Sequence, residues 1–177
     1  MSSNAFSCCS GHRLDYAKNT LIEWIGSAPG EETKAMRTTT VEELLEDFEF
    51  LDSWEDRYRY IIELGDELED MESELRVEEH RVQGCVSNVW LVARFEGSDP
   101  PRIFFRADSD SQLVRGLVAI LVMLCNGKSA RSVLAFDADD LFTRLELRNH
   151  LSRSRSNGLF SMVKRIRALA VEGAAGE

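Results

Sequence analysis

The sequence predicts an α+β fold in which a small antiparallel three-stranded sheet is flanked by helices. Two apolar runs rich in β-branched and aromatic residues, Asn88–Phe95 and Arg102–Ala107, are joined by a turn-forming G-S-D-P-P segment and predict a hairpin. Helical periodicity appears before and after this pair, so helices and strands are segregated along the chain. We expect residues 79–83 to supply the third strand, which would place Cys85 in a connection between two strands.

Two amphipathic helices are predicted ahead of the hairpin. The first is capped by Thr40 with Glu43 three residues later, as a capping box requires, and the second begins at Ser53 with Asp56 in its first turn. The acidic residues of this region are either a solvated surface or a field that steers a basic partner, and the sequence leaves both interpretations open.

The helix after the hairpin is predicted to be the buried centre of the domain. Ser109 and Gln112 match a capping box, and the apolar residues from Leu113 to Leu124 cover more than one helical face. Two shorter helices over 129–135 and 138–147 should follow. A final helix is expected to start near Asn157, with a buried stripe formed by Leu159, Met162, Val163, Ile166 and Leu169.

The length of 177 residues and the hydrophobic content of 44% fit one domain, which we place at residues 38–172. Residues 1–37 are expected to form a flexible N-terminal extension, with Met36 as an alternative start of translation, and residues 173–177 a short C-terminal tail. The net charge of −10 argues against binding to nucleic acid or to an anionic membrane. Without a secretory signal or a long apolar run, we expect a cytoplasmic protein that acts on another protein.

Cysteine usage singles out one thiol. Cys8 and Cys9 are adjacent and receive no role, Cys125 ends an apolar helix and is expected to be a core residue, and no spacing suggests a metal centre. Cys85 follows Gly84 at the start of a predicted strand, a place where a loop presents a side chain. Three interpretations remain open on these grounds: a reactive thiol, an inert core cysteine, and a cysteine hydrolase that uses Asn149 and His150.

Four segments carry a family resemblance, and they occur in the family's order. They are Y-R-Y-I-I-E-L-G from Tyr58, G-C-V-S-N-V-W from Gly84, A-D-S-D-S-Q-L-V-R-G-L-V-A-I-L from Ala107 and H-L-S-R-S-R-S-N-G from His150. Together they resemble the SufE (SufE/CsdE) family of sulfur acceptor proteins over roughly Thr40 to Leu169. The fold that this resemblance implies is an α+β domain like that of the IscU-type scaffold proteins.

The resemblance also implies a function. Proteins of this family accept sulfur as a persulfide from a cysteine desulfurase that uses pyridoxal phosphate, stimulate that enzyme, and pass the sulfur to an iron–sulfur assembly scaffold. Cys85 would then be the persulfide carrier, with a SufS- or CsdA-like donor, a SufBCD-like acceptor and no bound cofactor or metal. A non-carrying regulator of the desulfurase is the alternative, and whether the chain forms a homodimer is left open.

Further site residues are carried over from the same motifs. Gly84 would let the cysteine loop change conformation, and Asp110 and Arg155 would lie near that loop, where they could pair and where Arg155 could favour the thiolate. Stabilisation of the helix dipole is the alternative role for Asp110. The chain departs from the usual pattern at Val86, where members carry Gln, and at Arg153, where they carry Pro, which bears on partner specificity.

Overall fold

The computed structural model describes residues 39–97 and 100–174, so the predicted N-terminal extension lies outside the described residues. A three-stranded antiparallel sheet has the order β1–β2–β3, with β1 at Val89–Glu96, β2 at Arg102–Ser109 and β3 at Lys128–Ser129. The first two strands pair along their full length, from Val89 opposite Ser109 to Glu96 opposite Arg102. The predicted α+β class and the hairpin are both confirmed.

The position of the third strand was predicted wrongly. Residues 78–80 form a short 3₁₀ turn, and Arg81 then makes only an isolated bridge to Trp90 of β1. The buried His80 ring explains the turn, because its Nδ1 lies 2.8 Å from the Leu75 carbonyl oxygen and draws the chain away from the sheet. The third strand instead follows Gly127, whose amide donates to the Ile103 carbonyl over 2.8 Å.

The two helices before the sheet begin where the sequence predicts. Helix α1 spans Val41–Glu49 behind a complete Thr40–Glu43 capping box, and α2 spans Trp54–Asp66 with the Ser53 hydroxyl accepting from the Asp56 amide over 3.1 Å. Each of these bonds satisfies an amide that the helix itself leaves unpaired.

Helix α3 spans Gln112–Cys125 and is the buried centre of the domain, as its apolar composition predicts. Its expected capping box is wrong, because Ser111 is the N-cap and makes no side-chain capping bond. Ser109 belongs to the end of β2, where its hydroxyl donates to the Asn88 carbonyl over 2.8 Å. That bond ties the end of the sheet to the segment that contains Cys85.

Two glycines bring α2 and α3 into backbone contact. A Cβ placed on Gly116 would lie 1.9 Å from the Ile61 carbonyl oxygen, and one on Gly65 would lie 2.8 Å from the Gly116 amide nitrogen. Neither helix could move away without opening a void in the core, which costs several kcal/mol in comparable cases (~2–5). These two glycines therefore fix the separation of the two helices.

Arg115 joins the same two helices to the sheet. Its guanidinium donates to the Gly65 and Leu68 carbonyls over 3.0 Å each and pairs with buried Asp108 over 3.1 Å and with Asp70 over 2.9 Å. Arg76 forms a second ion pair with the same Asp108 over 2.5 Å. The buried carboxylate is thus fully paired, as burial requires.

Four helices complete the domain: α4 at Ala130–Ala135, α5 at Ala138–Arg144, α6 at Leu147–His150 and α7 at Arg153–Ala174. Helix α7 starts four residues before the predicted position near Asn157 and runs one residue beyond Gly173. Its first turn was taken for a loop because it is polar and solvent-facing. Ser152 satisfies that turn, since its hydroxyl accepts from the Arg155 amide over 3.4 Å and its carbonyl from the Ser156 amide over 3.0 Å.

Part of the acidic surface has a structural role. Arg106 of β2 pairs with Glu72 over 2.9 Å and with Glu69 over 3.4 Å, so these carboxylates hold the segment after α2 against the sheet. In the part of the chain that the structure describes, no helix is long and apolar enough to cross a bilayer.

Candidate functional site

Cys85 lies on a short loop whose two ends are joined. The Val82 amide donates to the Val89 carbonyl over 2.8 Å, and Arg81 bridges Trp90, so the chain leaves the edge of β1 and returns to it within a few residues. A loop closed at its base can move as a unit without disturbing the sheet.

The loop rests on helix α7 through its cysteine. The Cys85 thiol donates to the Gly158 carbonyl, with the sulfur 3.4 Å from the oxygen, and a Cβ on Gly158 would lie 3.4 Å from the same sulfur. Gly84 has a φ of +88°, and a Cβ there would lie 2.7 Å from the Ser161 hydroxyl. One glycine on each side therefore lets the cysteine approach the helix closely.

An open cleft of about 250 Å³, its mouth included, lies beside the thiol. The space inside it that a water-sized group can occupy is about 20 Å³, which corresponds to roughly one water molecule. Apolar side chains from α3 and α7 line its floor, and polar groups from the start of α7 line its rim. The lining residues are Cys85, Val86, Ser87, Val114, Ser154, Arg155, Gly158 and Met162.

Asp110 holds the far end of the loop. Its carboxylate accepts from the Asn88 amide over 3.0 Å and from the Asn88 side-chain nitrogen over 2.7 Å. The Asp110 amide in turn donates to the Asn88 carbonyl over 3.2 Å. Asp110 and Arg155 both lie near the cysteine loop, where the resemblance suggests that they could pair, but the hydrogen-bond partner of the Asp110 carboxylate is Asn88, and Arg155 lines the cleft.

Burial governs the protonation of Cys85. The thiol is half-buried, and desolvation raises its pKa above the ordinary value of 9.0, because a thiolate is less well solvated there. The positive charge of Arg81 acts in the opposite direction and lowers that pKa. Arg81 is itself held by Glu78 over 3.3 Å, and Glu78 also accepts from Gln83 over 3.0 Å.

Cys125 has a different environment. It is fully buried at the end of α3, and desolvation raises the pKa of its thiol to about 11. Such a thiol is protonated at neutral pH and has no access to a partner, which agrees with the core role expected for it.

The residues considered for a cysteine hydrolase lie elsewhere. The His150 ring stacks on Trp54 of α2, with ring centroids 3.7 Å apart. The main-chain carbonyl of His150 accepts a hydrogen bond from the Tyr58 hydroxyl. Neither His150 nor Asn149 lines the cleft. Within residues 39–97 and 100–174, no group of three or more His, Cys, Asp or Glu is placed to hold a metal ion.

The structure adds three residues to the site that sequence reasoning did not single out. Asn88 and Gly158 lie inside the quoted motifs, so their positions carried a signal, but only the fold shows that they touch Asp110 and Cys85. The position of Arg81 carried no such signal, because it is one of many charged residues in the sequence. Only the fold shows that the bridge to Trp90 brings it near the thiol.

Fold and site together define a class of protein: an α+β domain that presents one half-buried cysteine on a closed loop beside an open cleft. The model of the family "SufE: Fe-S metabolism associated domain" matches residues 42–170. The chain therefore belongs to the SufE family, which ties it to iron–sulfur metabolism.

Relatives support the same assignment. An uncharacterized SufE-like protein of Rhizobium meliloti (strain 1021) is 47% identical over 133 residues, which cover 75% of this chain and 95% of the relative. A second uncharacterized SufE-like protein, from Rhizobium etli, is 50% identical over 130 residues, covering 72% of this chain and 87% of the relative. The solution structure of a hypothetical protein from Thermus thermophilus has the same fold, with a TM-score of 0.62 at 19% identity over 76% of this chain and 96% of that one.

Proposed function

We propose that this protein accepts sulfur from a cysteine desulfurase onto Cys85, stimulates that enzyme, and delivers the sulfur to an iron–sulfur assembly scaffold. The observation that carries the proposal is the placement of Cys85, a free thiol on a closed loop at an open cleft, within a SufE domain. Cys125, the other free cysteine of the described residues, is fully buried and out of reach of a partner.

The transfer step follows from thiol chemistry. The Cys85 thiol gives its proton to solvent, and the thiolate attacks the outer sulfur of a persulfide on the donor cysteine. A new sulfur–sulfur bond forms at Cys85 while the donor's sulfur–sulfur bond breaks, and the electron pair of that bond leaves with the donor sulfur as a thiolate. No outside oxidant or reductant is consumed.

The resting environment suits a carrier that must not react prematurely. Burial raises the pKa of Cys85, so at neutral pH the thiol is protonated and weakly nucleophilic. Moving the loop out of the cleft would break the contact of Cys85 with Gly158 and expose the thiol to solvent, which lowers its pKa towards the ordinary value. Nucleophilicity is thereby coupled to release of the loop from the cleft.

The cleft gives the product a place to rest. A persulfide on Cys85 extends the side chain by one sulfur atom, and the cleft, whose lining includes Val114 and Met162, has room for a group of roughly that size. These apolar neighbours would limit the approach of soluble thiols while the carrier travels to its acceptor.

The test is stimulation of the cysteine desulfurase encoded in the same genome, with cysteine as substrate and no added reductant. Cys85→Ser should abolish stimulation, whereas Cys125→Ala, which removes a thiol that the partner cannot reach, should preserve it. Full stimulation by Cys85→Ser would overturn the carrier role and identify the protein as a non-carrying regulator.

A further inference from the structure

Val86 is the most exposed apolar side chain of the cleft lining. It follows Cys85 directly, lies on the rim of the cleft and is 81% exposed. Ser154 and Arg155, on the same rim, are polar and exposed, so Val86 is an apolar point within polar surroundings.

The transfer step constrains what happens to this side chain. For Cys85 to attack a sulfur in another protein, its own sulfur must reach bonding distance, and neighbouring Cα atoms are only ~3.8 Å away. Residues 84 and 86 therefore enter the partner together with the cysteine. Gly84 brings no side chain, which leaves Val86 as the group that the partner meets next to the thiol.

We propose that Val86 is a determinant of affinity for the desulfurase and acts by entering an apolar depression beside the persulfide-bearing cysteine of that enzyme. This inference rests on the proposed function and names the chemistry of the partner's surface. Transfer of an isopropyl group from water into an apolar pocket lowers the free energy of the complex. In a pocket lined with polar groups, the same side chain would leave those groups without hydrogen-bond partners and weaken binding.

The chain provides a matched control. Val171, near the end of α7, is a valine that is 52% exposed and lies outside the cleft lining. Isolated exposed valines need no functional explanation, and Val171 represents that situation. Comparing Val86→Gln with Val171→Gln thus separates the effect of position from the effect of the substitution.

The experiment measures binding of each full-length variant to the same-genome desulfurase directly, by titration, and measures stimulation at saturating acceptor. Val86→Gln should raise the dissociation constant about tenfold, as expected from losing much of the burial of one valine. Val86→Ile should restore wild-type affinity, and Val171→Gln should leave it unchanged. Reaction of free Cys85 with iodoacetamide should be the same in wild type and Val86→Gln, which shows that the substitution acts on docking rather than on the thiol.

Two results would overturn the inference, and a third is separate. Equal affinities for wild type and Val86→Gln, or an equal loss in Val171→Gln, would remove Val86 from the determinants of affinity while Cys85 still acquires sulfur. Absence of sulfur on wild-type Cys85 despite tight binding would instead contradict the proposed function itself, and with it the inference that depends on transfer.

Discussion

The Cys85 thiol donates to the main-chain carbonyl of Gly158, a residue 73 positions later in the chain, across a distance of 3.4 Å. This contact joins the cysteine loop to helix α7 and sets the accessibility of the thiol. It is also weak, because a thiol is a poor donor. The contact therefore holds Cys85 in the cleft without preventing its release.

Asp110 should restrain the loop at its other end. Replacing Asp110 by Ala removes two hydrogen bonds to Asn88, and we expect a loss of roughly 1–2 kcal/mol in unfolding free energy together with a severalfold faster alkylation of Cys85. Asp139→Ala, which removes one exposed ion pair with Arg148, is the control and should change neither quantity appreciably. An unaltered alkylation rate in Asp110→Ala would show that the Asn88 bonds do not control the loop.

Two arginines near the thiol should have separable effects. Arg81→Ala should move the pH profile of Cys85 alkylation to higher pH, because it removes the charge that lowers the pKa of the thiol.

Arg155→Ala should lower sulfur acceptance from the desulfurase while the fold stays intact, since Arg155 lies exposed at the cleft. If only Arg155→Ala moved the pH profile, the charge that lowers the pKa of Cys85 would belong to Arg155, and the assignment to Arg81 would be wrong.

Gly84 should be intolerant of a side chain for two reasons that can be separated. Its φ of +88° is unfavourable for other residues, and a Cβ would meet the Ser161 hydroxyl. Gly97 has a φ of +83° with nothing within 4 Å of a Cβ, so Gly97→Ala measures the backbone cost alone, roughly 1 kcal/mol. Thermal or chemical unfolding should show a larger loss for Gly84→Ala, and equal losses would mean that the Ser161 hydroxyl simply rotates away.

The buried Cys125 should make the protein less stable in alkali. Its pKa is about 11 in the folded chain against an ordinary 9.0, so the folded state retains the proton that the unfolded state loses. Stability is unaffected below about pH 9 and falls between pH 9 and 11, by about 2–3 kcal/mol in total. Chemical unfolding of wild type and Cys125→Ala over this range tests the point, and parallel curves would contradict it.

Local signals in the sequence were sufficient for much of the fold. The capping residues Thr40 and Ser53 fix the starts of α1 and α2, and the two apolar runs around the G-S-D-P-P turn define the hairpin. Each of these features depends on residues that are close together in the chain. That is why periodicity and turn chemistry detect them.

The errors arose where distant residues decide the outcome. The third strand depends on the pairing of Lys128 with Ile103, which no local pattern reveals in a two-residue strand. The start of α7 is a different case, because its cap Ser152 is local, but the first turn is polar and has the composition of a loop. At the site, the motif residues were named from the resemblance, but the pairing of Asp110 with Asn88 and the contact of Cys85 with Gly158 required the folded chain.

The most direct test of the carrier role is the intact mass of the full-length protein after incubation with the desulfurase and cysteine without reductant, followed by peptide mapping. A persulfide carrier should gain one sulfur atom, located on Cys85, and this gain should disappear on treatment with a thiol reductant and be absent from Cys85→Ser. Faster desulfuration with no sulfur on Cys85, or sulfur found on another cysteine instead, would contradict the carrier role.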